Sequence, residues 1–485
     1  MLLYCESIEV LCYDNPMRRL PRWKPKIEHG SAPVYVRLTD ALERDIRGHS
    51  LQAGARLPPH RDLAHELGLS VGTVSKAYME AERRGLISAR VGRGSFVLGG
   101  PVTPAFNLVS RSAEGLTDLA RNVPPVAPVT RRYLEAVARV RHQHDIEASM
   151  GYGPPEGLQS VRVAAAEWFR KRQGVERADA ADLVQCNGGQ QGLALTFGAV
   201  CRPGDPVLCE AATFYGARTL AQYAGYKLHG VAMDAEGLEP EALERAVRTT
   251  GARVLFTIPT LQNPTSRTMS LARRRAIVEI ARAHDLTIIE DDTYNVYADR
   301  AHPPQAFAEL APERTYYVGS VSKSLSPGLR LAFVLPPDRA GRERLLRGVR
   351  ALGYCPPSLG ALVFLQWMED GVAYAISDEI VAEARERTAI AQRVLGTMLA
   401  RDTPLQTLHV WLPISASHAE RAASRALRSG VEVTPPDAPI VSAADISGLR
   451  ICLGGAPDHL VLEQALQIVA SSLQEELDEP SRMVV

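Results

Sequence analysis

The run YVGSVSKSLSPGLRLAFV carries Lys323, with Ser320 three positions before it and Arg330 seven after it. A lysine beside a hydroxyl and a guanidinium can be held close to a bound phosphate. Burial next to a cation also favours the neutral amine that attacks a carbonyl. Upstream, TIIEDDTYNVY closes a β-like run and sets Asp291 and Tyr294 three apart. TLQNPTS supplies Asn263, whose amide can donate to a ring oxygen. CNGGQQGLAL puts Gly189 and Gln190 at the start of a helical stretch, where free backbone N–H groups favour a phosphate. Phe214 offers a ring face for stacking.

Each of these has an ordinary reading on its own: a surface lysine, a solvated Asp-Asp turn, an Asn-Pro turn starter, a core phenylalanine. Together they fill a set of linked roles: a lysine to form a Schiff base, an acid for a pyridinium nitrogen, donors for a phosphate and a partner for a ring hydroxyl. Pyridoxal 5'-phosphate asks for that set.

A second group of residues lies near the other end. Between Met17 and Leu98 there are 15 Lys and Arg against 8 Asp and Glu, although the whole chain of 485 residues is neutral. A basic end on an otherwise slightly acidic chain is an electrostatic footprint for nucleic acid. Within it, a helical pattern at His60–Leu67, the turn Gly68-Leu69-Ser70 and a second helix from Val71 give helix-turn-helix spacing. Val74, Tyr78 and Ala81 would face a small core. Gly72, Thr73, Ser75, Lys76 and Met79 would point outward, and Ser70 suits an N-cap close to a phosphate. Two β-like runs, Leu86–Val91 and Ser95–Leu98, flank Gly92-Arg93-Gly94 and predict a hairpin whose tip lays Arg93 into a groove. A three-helix protein-interaction module would share this spacing.

Around these groups the chain reads as several domains. Residues 1–33 form an N-terminal extension, Pro-rich and basic from Met17 and expected to be flexible. Residues 1–16 match nothing downstream, so Met17 is an alternative start. Residues 34–98 hold the helix-turn-helix and hairpin, and 99–117 a linker. From 118 to 485, β-like runs such as Val254–Ile258 and Thr287–Glu290 alternate with helical ones such as Ala272–His284. That alternation implies an α/β domain with a mostly parallel sheet. The seven cysteines form no CxxC pair and suit neither a zinc site nor a disulfide framework. With no secretory signal and no membrane-length apolar run, the expected location is cytoplasmic.

From Val34 to Val97 the chain resembles the GntR-family winged helix: GARLPPHRDLAHELGLSVGTVSKAYMEAERRGLI, followed by VGRGSFV. The resemblance implies DNA contacts from Arg61, from the start of the recognition helix (Ser70, Gly72, Thr73, Ser75, Lys76) and from the wing (Gly92, Arg93). Many members carry Arg where this chain has Val71. From about Asp118 to Leu473 the chain is similar to fold-type I aminotransferases. GYGPPEGLQSVRVAAAEWFRKRQGV matches, and so does GLRICLGGAP, whose Arg450 is implied to pair with a ligand carboxylate. Ala212 and Phe214 depart from the common Pro and Tyr. The resemblance implies a large α/β domain with a smaller α+β subdomain from about residue 346. The fusion of the two parts resembles the MocR-type regulators, and TLQNPT, YGPPEG and VGTVSKAY look most like members tied to pyridoxine biosynthesis. It implies a homodimer, head-to-tail, with each winged helix resting on the partner's large domain. The expected function is a DNA-binding regulator that senses pyridoxal phosphate, an amino acid or an amine. A working aminotransferase that carries a DNA-binding domain is the alternative, and a cofactor-free dimerisation scaffold is a third.

Overall fold

The protein is described here by a computed structural model covering residues 23–27, 33–47, 51, 55–83, 86–90, 94–97, 116–125, 129–143, 150–300, 303–442 and 446–474. It divides into two compact units, Met1–Val109 and Ser110–Val485.

In the first unit, α1 (Val34–Arg47) turns Leu38, Ala41, Leu42 and Ile46 into a core shared with α2 (His60–Leu67) and α3 (Val71–Arg83). Gly68 ends α2 in the left-handed region at φ 63, a conformation open to glycine without a Cβ penalty. The turn it makes lets α3 start at once, and the Ser70 hydroxyl accepts the Thr73 N–H at 3.1 Å as an N-cap. Val74, Ala77, Tyr78 and Ala81 fill the core from α3, and the Tyr78 hydroxyl donates to the Pro58 carbonyl. The hairpin is β1 (Ile87–Arg90) with β2 (Gly94–Val97), antiparallel, with Arg90 opposite Gly94. The extension expected to be flexible contributes to this core. Trp23 is buried there, its indole N–H donating to Asp45 at 2.8 Å. The apolar area of one indole outweighs the polar surroundings of its own segment.

The second unit opens with β3 (Thr117–Leu119), which pairs in parallel with a late strand, β14 (Val431–Val433). Its body is a seven-stranded sheet in the order β4-β12-β11-β10-β9-β5-β6. The strands are β4 (Val184–Asn187), β5 (Pro206–Glu210), β6 (Lys227–Val231), β9 (Val254–Thr257), β10 (Thr287–Asp291), β11 (Thr315–Ser320) and β12 (Leu331–Leu335). Between β6 and β9 lies a small antiparallel pair, β7 (Met233–Asp234) and β8 (Gly237–Leu238). All neighbours in the large sheet run parallel except β12, which is antiparallel to both β11 and β4. The central strands β9, β10 and β11 are buried along almost their whole length, polar residues included.

The remaining pair, β13 (His409–Leu412) with β15 (Leu449–Cys452), belongs to a second core formed by Leu119 and residues between Ile390 and Leu473. The smaller subdomain therefore begins its own core near residue 390. The helices Arg339–Gly353 and Leu359–Glu369, and the first half of Val372–Leu395, pack on the large core instead. That moves the boundary expected near 346, because one long helix is shared by both cores. No helix among the described residues is long and apolar enough to cross a membrane.

One buried ionic group ties the sheet to its helices. Glu290 on β10 accepts the N–H groups of Phe307 and Ala308 at 2.9 Å each and faces Arg274 at 3.7 Å. Burial, with Asp292 close by, pushes the Glu290 carboxyl up to about 8. Arg274 also donates to the carbonyls of Met269, Gln305 and Pro259 and to the Thr260 hydroxyl. Arg274→Leu should leave those acceptors and Glu290 without their partner and cost about 3 kcal/mol of stability. Urea unfolding followed by tryptophan fluorescence, with an unchanged midpoint, would count against this role.

Candidate functional site

The residues singled out in the sequence come from strand ends. Asp291 is the last residue of β10 and Ser320 the last of β11, with Lys323 three residues on. Asn263 follows β9, Phe214 follows β5, and Gly189 and Gln190 follow β4. All of these strands run the same way, so their carboxyl ends open on one edge of the sheet, where α/β folds gather their ligands.

Lys323 is held at both ends of its own residue. Its ammonium donates to the main-chain carbonyl of Asn122, and its own carbonyl accepts from the Tyr297 hydroxyl. Burial pushes its amine down to about 8. The charges of Arg450 and Arg330 press the same way, and Asp291 and Cys452 oppose them. Asp291 is buried and accepts the Thr293 hydroxyl, and burial pushes its carboxyl up to about 6. A buried carboxylate gains most from a cationic N–H placed against it.

Around the pair, Tyr294 receives the amides of Asn122 at 3.0 Å and Asn263 at 3.4 Å on its hydroxyl. Asn263 accepts Arg450 on its side-chain oxygen at 2.7 Å. Arg450, buried on β15, also donates through Nε to Thr434 at 3.0 Å and through Nη2 to the Ala120 carbonyl at 2.9 Å. One N–H remains on each terminal nitrogen with no partner among the described residues. That is the fork a carboxylate takes.

At the other end of the site, Arg330 donates to the Asn187 carbonyl at 3.0 Å. It lies so close to Gly188 that a Cβ there would be 2.6 Å from Nη2. Gly189 leaves 3.5 Å between a hypothetical Cβ and Ser320. The result is a cradle of bare backbone at the start of the helix Gly188–Val200, flanked by a hydroxyl and a guanidinium. Gln190 spends its side-chain amide on the Gly216 carbonyl at 2.8 Å, so its main-chain N–H is what it brings to the cradle. Phe214 is half-buried, edge-on to Tyr215 at 5.0 Å. An anion cradle, a buried acid and a half-buried amine with a lowered proton affinity match the donor set of pyridoxal phosphate. These residues fit that group.

Sequence reasoning missed Asn122, His409, Cys452, Thr434 and the Ala120 carbonyl. Asn122 and His409 lie 2.9 Å apart, and Cys452 donates to Ala120. Apart from the Thr434–Arg450 bond, their partners in the site stand more than 140 residues away along the chain, and a lone His on a buried strand reads as core.

In the first unit, Arg61, Ser70, Gly72 and Lys76 are exposed and Thr73 is half-buried. Ser75, expected to point outward, is half-buried with its hydroxyl 2.9 Å from His60 Nδ1. Val71 and Met79 are exposed apolar side chains on α3. Gly92 and Arg93 lie outside the described residues.

Residues 114–469 match the aminotransferase class I and II family, and residues 34–97 match the gntR family of bacterial regulatory proteins. This chain belongs to the class I and II aminotransferases. It joins that domain to a GntR-type DNA-binding domain, the layout of a MocR-type transcriptional regulator. It is 34% identical over 315 residues to the uncharacterized HTH-type transcriptional regulator YdeF of Bacillus subtilis, covering 65% of this chain and 67% of that protein. Along nearly the whole length it is 28% identical to the vitamin B6 salvage pathway transcriptional repressor PtsJ of Salmonella typhimurium, covering 88% of this chain and 96% of that one. In fold, it is similar to the α-aminoadipate aminotransferase LysN of Thermus thermophilus, with a TM-score of 0.68 at 24% identity over 75% of this chain and 93% of that one.

The lowered proton affinity of Lys323 has a measurable sign. The amine is the nucleophile only when neutral, so covalent attachment of pyridoxal phosphate should accelerate as pH rises through about 8 rather than near the ordinary lysine value. Stopped-flow absorbance between pH 6.5 and 9.5 checks this. Lys323→Ala should lose all borohydride-trapped cofactor, and a variant that still traps it would remove Lys323 from the role.

Proposed function

We propose that this regulator holds pyridoxal 5'-phosphate at Lys323 and uses it to sense an amino acid or amine, changing how a homodimer engages operator DNA. The observation that carries the reading is the half-buried Lys323, its ammonium on the Asn122 carbonyl, with Asp291 on one side and the Ser320–Arg330–Gly189 cradle on the other. When bound, the cofactor supplies an aldehyde carbon for primary amines and an electron-accepting ring. Asp291 keeps the ring nitrogen protonated, Asn263 and Tyr294 hold the ring oxygen, and Phe214 covers a ring face. Ser320, Arg330 and the N–H groups of Gly189 and Gln190 carry the phosphate. Arg450 takes the carboxylate of an amino-acid ligand. That PtsJ is a vitamin B6 salvage pathway repressor supports the cofactor itself as one signal.

Met150, Tyr152, Tyr354 and Leu359 are exposed, with the two tyrosine rings 5.5 Å apart. Their chain neighbours Gly151, Gly153, Cys355 and Ser358 line a pocket of about 330 Å³ that reaches Asn187, the residue holding Arg330. An apolar surface of this kind beside the phosphate cradle supports a dimer formed through the large domain, with each subunit completing the other's site. Two winged helices on one dimer would read two half-sites. Arg61, the α3 N-terminus from Ser70 to Lys76 and the Gly92–Arg93 wing would meet the DNA. In such a role the protein works in the cytoplasm.

Full transamination is the second reading, favoured by the complete set of site groups. A turnover assay with amino-acid donors and 2-oxo acids separates it from sensing alone.

Two measurements test the main reading. The purified protein with added pyridoxal phosphate should be yellow and dimeric by light scattering, and a colourless monomer would sink the proposal. Arg61→Ala should weaken binding to every DNA sequence and lower the slope of log affinity against log salt by about 1. Native affinity across a salt series would take Arg61 out of the interface.

A further inference from the structure

Asn122 follows β3 and meets the site through three contacts made by two of its polar groups. Its main-chain carbonyl accepts the Lys323 ammonium. Its side-chain amide lies 3.0 Å from the Tyr294 hydroxyl and 2.9 Å from His409 Nδ1.

The orientation of that amide follows from the histidine. His409 Nε2 sits 3.2 Å from the Gln262 carbonyl, which can only accept, so Nε2 carries the hydrogen. Burial, with the Arg450 charge adding to it, pushes the imidazole down to about 3, so the ring is neutral. A neutral ring with hydrogen on Nε2 presents a lone pair at Nδ1, and only an N–H of Asn122 can satisfy it. A flipped amide would set oxygen against that lone pair. Both amide hydrogens are then spent, one on His409 and one on Tyr294. The remaining atom, Asn122 Oδ1, is buried and has no hydrogen-bond partner among the described residues. An acceptor held in this way at a ligand site is costly unless a donor arrives.

The donor it suits is an ammonium. With Lys323 engaged by the cofactor, the Asn122 carbonyl would no longer face a free ammonium. Asn122 would then present two acceptors, Oδ1 and the main-chain oxygen, with Arg450 across the site for a carboxylate.

We propose that Asn122, oriented by His409, is the residue that recognises the primary ammonium group of the effector, and so selects amines and amino acids over acids that lack nitrogen. This rests on the reading of the Lys323 site as a pyridoxal-phosphate site. His409 is a positioning residue in this scheme, because it acts only through Asn122.

The experiment compares two substitutions that lose the same donors and differ in the acceptor. Asn122→Ala and Asn122→Asp both lose the N–H donors to His409 and Tyr294, and only Asp keeps side-chain acceptors. Calorimetry on the protein loaded with pyridoxal phosphate would use L-alanine and propionate, the latter being the same carboxylate without nitrogen. Asn122→Ala should weaken L-alanine about tenfold or more, the size of one charge-assisted hydrogen bond. Propionate should stay within about twofold, and Asn122→Asp should hold L-alanine within about threefold of the unmodified protein. Unchanged L-alanine binding in Asn122→Ala overturns the inference. So does an equal loss of both probes in the two variants, the signature of a structural role. An unmodified protein that takes up no pyridoxal phosphate overturns the cofactor reading itself, and this proposal with it.

Discussion

Taking a lysine ammonium out of water gives up hydration that a protein interior replaces only in part. Lys323 is placed under that constraint with two arginines nearby, and the rest of the site can be understood as a response to it. Burial and the cations lower the amine toward neutrality, while Asp291 and one carbonyl, that of Asn122, keep the charged form from being expelled altogether. The same seclusion raises Asp291, so acid and amine approach each other in proton affinity. Two groups that each titrate far from neutrality in water are brought within reach of it.

The sheet makes this arrangement rigid. Asp291 and Ser320 stand on adjacent parallel strands, and β12 returns antiparallel to deliver Arg330 beside β4. Close approach is bought with missing side chains: Gly188 admits the Arg330 guanidinium, and Gly454 lets the smaller subdomain meet Val123, where a Cβ would stand 1.8 Å from the carbonyl oxygen. The segment 118–125 is thereby clamped between the two cores, and it carries Ala120 and Asn122, which hold Arg450 and Lys323. A ligand that bridges Arg450 and Lys323 therefore acts on a segment to which both subdomains are attached.

The DNA-binding unit has a small core of its own, with Trp23, Tyr78 and the α1 face packed together. The hydroxyls on its recognition helix are partly occupied within the protein. Ser70 and Thr73 bond each other at 2.8 Å and Ser75 is engaged by His60. Lys76 and the apolar Val71 and Met79 are exposed on the same helix, beside Ser70, Gly72 and Glu82.

The sequence by itself determined the order of the elements, the two domains and the residues that follow strand ends. Glycines, capping residues and the switch between helical and strand periods are local signals that survive without coordinates. Lys323, Asp291, Tyr294, Asn263 and Arg330 could be singled out as candidates because each sits in a short run whose chemistry can be read in place. Tertiary structure alone decided the Asn122–His409 contact, the anchoring of Arg450 on Ala120 and Thr434, the burial of Trp23 and the point at which one long helix passes from the first core to the second. Those depend on groups separated by tens to hundreds of residues, and no local pattern encodes a distance. The proton affinities of Lys323 and Asp291 belong to the same class, because desolvation is a property of the surroundings and not of the residue.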